Sequence, residues 1–194
     1  MRVGTMAKRG LAAVACASVM LSLAGCVPPS AAVGDAKEVE PNVEHDAMRR
    51  ADTTLGLISG GNLDTDRLVL DALDKGGIAT SYASVEGVRD PVSTAQNAVR
   101  DMVDRAVDAM IIADINITDD NAQSWDDALD EAREAGVAVA LLNPQQPPED
   151  EKLYAAALKL NDRAMDATPI DDAMMTIVRD DPHERELMVT TNVE

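Results

Sequence analysis

Phenylalanine is absent from this chain of 194 residues, and tryptophan occurs once. An aromatic platform for a ligand would fall first to Trp125. That residue shares a stripe with Ala122, Ala128, Leu129 and Ala132, the spacing of one buried helix face, so core packing accounts for it. Histidine and cysteine are scarce too, two of each. Neither His45 nor His183 has a second histidine or a cysteine at ligand spacing, which excludes the usual zinc sites. No G-x-S-x-G elbow occurs. The pair Gly60-Gly61 lacks the lysine of a P-loop and the third glycine of a dinucleotide fingerprint, while Asp64 and Asp66 would repel phosphate. It reads as a tight strand-to-helix turn. Asp64-Asp66 and Asp119-Asp120 lack EF-hand spacing and suit helix N-termini instead. The sequence thus offers no catalytic residue, no metal site and no cofactor loop. The scattered methionines read as filler, with Met102, Met110 and Met174 on faces predicted to be buried.

Basic residues are also in short supply: 17 Lys and Arg stand against 35 Asp and Glu, for a net charge of −18. A field of that sign repels nucleic acid and anionic headgroups, so a nucleic-acid partner is excluded. It also suits a solvated, self-repelling surface and by itself names no ligand.

What the chain does have begins at its N-terminus. Arg2, Lys8 and Arg9 precede an uncharged run from Leu11 to Leu23, the length of a signal-peptide core and too short for a permanent bilayer span. The run ends in Leu23-Ala24-Gly25-Cys26, which resembles the lipobox of bacterial lipoproteins at all four positions. It predicts cleavage before Cys26, a lipid on that thiol, and a protein held on the outer face of the cell membrane. Cleavage would remove Cys16 as well, leaving no disulfide and a fold held by its core alone. Residues 26–52 open with Pro28-Pro29, carry much charge and show no sustained apolar period, so they read as a flexible tether.

From Thr53 the pattern changes. Thr53 to Ser59 is an apolar run ending on Gly60-Gly61, and Leu68 to Leu73 gives a helix face stopped by Gly76-Gly77. Ile78 to Val85 reads as a second strand. Asp90-Pro91 starts a helix with apolar residues at Ala95, Ala98, Val99, Met102, Val103 and Ala106. Val107 to Ala113 is a third strand, residues 122–132 a third helix, and Val137 to Leu142 a fourth strand. This alternation predicts an α/β fold, a parallel sheet with helices on both faces. Residues 143–148 form a proline-rich break that reads as a connection out of the sheet. Residues 53–148 are accordingly one lobe, and 149–194 a partial second lobe or C-terminal extension. Within the latter, Lys152 to Leu160 is ambiguous, Ile170 to Val178 is helical and Leu187 to Thr191 is a strand.

The passage from Asp90-Pro91 through Gln96, Val103, Val107-Asp108-Ala109 and Ile111-Ile112 to Glu131-Ala132 and Glu134-Ala135-Gly136-Val137 is similar to the N-terminal lobe of type I periplasmic binding proteins of the ribose and galactose class. That resemblance covers residues 55–143, about half of the chain. It implies a receptor that clamps a small-molecule solute of sugar type and presents it to the permease of an ABC importer. In open parallel sheets ligands sit beyond the carboxyl ends of the strands. There the sequence places Ser59 and Asn62, Asp114 and Asn116, and Asn143 and Gln145, side chains able to hydrogen-bond hydroxyl groups. Turn and cap chemistry is the competing account of each. The chain departs from the family in three ways: the second lobe is largely missing, the loop after the first strand has no aromatic residue, and Asn143-Pro144 replaces a usual Asp-Arg pair. These departures predict weak binding of simple hexoses and pentoses. The alternative function is a degenerate lobe acting as a non-transport interaction or structural lipoprotein.

Overall fold

The computed structural model describes residues 48–193, so the predicted signal segment, Cys26 and the predicted tether up to residue 47 lie outside the described residues. The chain forms β1 (Thr54–Ile58), α1 (Leu63–Lys75), β2 (Ala79–Ala83), α2 (Pro91–Asp104), β3 (Ala109–Ala113), α3 (Ala122–Glu134), β4 (Ala138–Leu142), β5 (Ala156–Leu160), β6 (Thr168–Pro169), α4 (Ile170–Val178) and β7 (Glu186–Thr190). All seven strands are parallel, in the order β2-β1-β3-β4-β5-β7-β6. The α/β fold with a parallel sheet is therefore as expected.

Strand side chains alternate between the two faces, and the strands are apolar on both because both faces are covered. Leu55, Leu57, Ile111, Leu142 and Leu158 pack with Val69 and Leu73 of α1 and with Ile170 and Met174 of α4. Ile58, Met110, Ile112, Val139 and Leu141 pack with Val99 and Met102 of α2 and with Trp125 and Leu129 of α3. Trp125, Met102, Met110 and Met174 are all buried, as their spacing predicts. Asp90 caps α2 by accepting from Ser93 N–H, with Pro91 at the first helical position.

Two expectations differ from the structure. The proline-rich segment does not lead out of the sheet: residues 143–155 cross over one face and deliver β5 alongside β4, pairing Ala140 with Ala156 and Leu142 with Leu158. Leu153 and Tyr154 on this crossover join the α2/α3 core. The boundary drawn at 148/149 therefore does not separate two sheets. Residues 48–52, assigned to the tether, are docked. A 3-10 turn at Arg50–Asp52 aims Arg50 at α4, where its guanidinium pairs with Asp171 at 2.6 Å and also with Asp172, while Arg179 donates to Met48 C=O at 3.1 Å.

Candidate functional site at the strand carboxyl ends

The chain runs from β1 to β2 on one side and takes up β3 on the other, so the sheet's direction of growth reverses between β1 and β3. In open parallel sheets a switch point is where ligands bind, at the strand carboxyl ends. The chain places Ser59 and Gly60 there after β1 and Asp114 after β3. Gly60 is required by the close approach: a Cβ there would lie 2.5 Å from Asp114 Cβ and 2.7 Å from Ala113 O. Gly61 follows at φ 99°, a conformation that favours glycine, and its N–H donates to Ser59 Oγ at 2.9 Å.

Beneath this turn lies Asp66, on the inner face of α1 and 3% exposed. Its Oδ2 accepts from Ser59 Oγ and, at 2.9 Å, from the Tyr82 hydroxyl at the end of β2. Its Oδ1 is buried and has no hydrogen-bond partner. Across the turn, burial first and the Asp66 charge second raise the Asp114 carboxyl above its ordinary range. Among the described residues no ion pair reaches either carboxylate.

The predicted site residues divide. Asp114 is in this corner, held at φ 53°. Asn62 is at its rim but spends Oδ1 capping α1, on Thr65 N–H at 3.2 Å. Asn143 is committed to the sheet, its Oδ1 accepting Leu160 N–H at 2.9 Å where the β4–β5 ladder ends. Asn116 and Gln145 lie on two loops zipped together one strand further on, through Gln145 N–H to Ile115 C=O at 2.9 Å and Ile117 N–H to Gln146 C=O at 3.0 Å. Gln145 lines a separate recess of about 630 Å³ with Asp119, Asp126 and Glu149 on its walls. There burial, then Asp130, Asp127, Asp150 and Glu149, push the Asp126 carboxyl up.

Asp66 and Tyr82 escaped the sequence reading. The signal was present for Asp66: it stands three residues before Val69 and seven before Leu73, in register with the buried stripe of α1. Tyr82 carried no such mark, because its role depends on β2 pairing beside β1.

No family model matches the chain, and no curated protein matches it by sequence. Among solved structures, it is similar to the periplasmic binding protein component of the arabinose ABC transporter from Shewanella sp. ANA-3, with 23% identity and a TM-score of 0.45 over 55% of this chain and 34% of that one. A galactofuranose binding protein gives 25% identity and a TM-score of 0.45 over 57% and 36% of the two chains. A pilus assembly-related protein from Burkholderia pseudomallei gives 13% identity and a TM-score of 0.47 over 72% of this chain and 98% of that one. The chain thus spans about a third of the length of the first two of these proteins.

Proposed function

We propose that this chain is a solute-binding protein of the sugar-importer type, held at the outer face of the cell membrane by a lipid on Cys26 and presenting its solute to a permease. The observation that carries the binding role is the switch-point corner, where Ser59, Asp66, Tyr82 and Asp114 gather at the carboxyl ends of β1, β2 and β3. A buried oxygen without a partner, here Asp66 Oδ1, is a feature a ligand can complete. The chain acts as a binder rather than an enzyme on this reading: the Ser59 hydroxyl is tied into the turn between Asp66 Oδ2 and Gly61 N–H, and among the described residues no histidine stands in the corner.

A thermal-shift screen of the full chain against small polar solutes tests this. A ligand at a hundredfold excess over its Kd stabilises by about 2.7 kcal/mol, a plain rise in midpoint. Simple neutral hexoses and pentoses should bind weakly. If no small solute of any charge moves the midpoint, the binding reading fails. The anchor is checked separately: Cys26→Ala should shift the protein from the membrane fraction to the soluble one or leave it uncleaved, and a wild-type chain with no lipid adduct by mass spectrometry removes that part.

The second reading, an interaction lipoprotein, is favoured by one observation. Leu63, Leu68, Tyr82, Val88 and Val92 are all 36–48% exposed, on α1, β2, the loop after it and the start of α2. Pairwise replacement of Leu63 and Val92 by serine, with binding of small solutes unchanged and a pulled-down partner lost, would favour it.

A further inference from the structure

We infer that the switch-point corner takes a small hydroxylated solute carrying a protonated amine, with the ammonium group seated against Asp114 and above Asp66. This deepens the solute-binding reading and rests on it. Asp66 supplies the main ground. It is buried, its Oδ2 is satisfied by two hydroxyl donors, and its Oδ1 meets no donor at all. Two neutral hydroxyls do not cancel a carboxylate's charge, and an uncompensated buried charge is costly.

The second ground is what stands opposite. The residue beside this charge is another carboxylate, Asp114, whose side chain makes no hydrogen bond and no ion pair among the described residues and is half-buried. Gly60, by omitting a Cβ, lets the Asp114 side chain come in against the turn above Asp66. The upward displacement of the Asp114 carboxyl, by burial and then by Asp66, is the same repulsion expressed as a proton equilibrium. A bound proton relieves it, and a bound ammonium relieves it better, because it offers three donors to oxygens that now have none. A neutral sugar hydroxyl leaves both charges in place. The exposed flank of the corner, with Gly61 and Asn62, is open to the rest of such a solute, and Tyr82 is 39% exposed at its edge.

Calorimetric titration of the full chain in physiological salt, with D-glucosamine, D-glucose and N-acetyl-D-glucosamine as the three probes, decides the matter. Glucosamine should bind at least about tenfold more tightly than the other two, the least that one charge-assisted hydrogen bond confers. Asp114→Asn, close in shape to the original, should abolish that preference, as should Asp66→Asn; a melting curve for each variant confirms folding. Asp119→Asn, in the neighbouring acidic recess, should leave it intact. Equal binding of glucose and glucosamine overturns the inference while leaving the solute-binding reading standing. Failure of all three probes to bind overturns it too, and the broader solute screen then judges the parent reading alone. Loss of the preference in Asp119→Asn, or its survival in Asp114→Asn, places the charge elsewhere and overturns the assignment.

Discussion

Helices α1 and α4 each hold a buried aspartate near their start, and the two solve the same problem differently. Asp171, at the start of α4, is 4% exposed and Asp66 is 3% exposed; each has one oxygen without a partner. Asp171 has a counter-ion, the Arg50 guanidinium brought in by the docked segment 48–52. Asp66 has two hydroxyls and a second carboxylate nearby. Asp171 is thus a closed structural contact, whereas Asp66 is left with charge to spare.

Breaking the closed contact should have the largest effect. Arg50→Ala strands the Asp171 carboxylate and should cost about 2–3 kcal/mol in urea unfolding, less than the roughly 3–5 kcal/mol of a fully buried pair because Arg50 is a third exposed. Adding Asp171→Asn should recover most of it, and no recovery would show that Arg50 acts through packing alone. Around Asp66, Gly60→Ala forces a methyl group into Asp114 and the Ala113 carbonyl, and a loss of about 1–3 kcal/mol is expected in the same measurement. Tyr82→Phe deletes one donor to Asp66 and should cost about 1 kcal/mol, near the typical value because Tyr82 is part-exposed.

The smallest effect should have the opposite sign. Asp114→Asn removes one of two facing carboxylates and should leave stability at neutral pH unchanged or a few tenths of a kcal/mol higher, within the range of surface changes. Because the folded-state pKa of Asp114 is raised, its protonation favours the folded form, and that contribution is lost as pH rises through the folded value. Asp162 runs the other way. Burial pushes its carboxyl up, but donors from Thr191 N–H at 2.7 Å, Thr191 Oγ1 at 2.8 Å and Thr190 Oγ1 at 2.9 Å outweigh it and hold the pKa below the ordinary value. Its contribution is present above the unfolded pKa and is lost as pH falls through the folded one. Acid titration of Asp162→Asn and Asp114→Asn should therefore flatten opposite slopes.

The sequence carried the fold further than the site. Helices α2 and α3 were legible because Ala95, Val99 and Met102, and Trp125, Leu129 and Ala132, keep a helical period against a covered sheet. The placement of β5 was not, because Pro144, Pro147 and Pro148 look the same whether a chain leaves a sheet or turns back over it. What decides is that Leu153 and Tyr154 find room against α3, a tertiary fact. The places of Asp114 and Asn143 just past buried strands were legible. That Asn143 Oδ1 accepts Leu160 N–H was not, because it depends on β5 lying beside β4. Asp66 was read as a helix-dipole residue; its spacing to Val69 and Leu73 was the better guide.

The latch between Arg50 and Asp171 also carries a consequence in time. The two residues are 121 positions apart, so one is made near the start of the folded region and the other near its end. Until α4 emerges, the α1 side of the sheet has Val69, Leu73 and Ile111 without the cover of Ile170 and Met174. A long-range contact of this kind closes a large loop and forms late in folding. A chain that emerges N-terminus first thus passes through a stage in which the α2 and α3 face has its helices while the other has only α1, and Arg50 is secured only when α4 arrives.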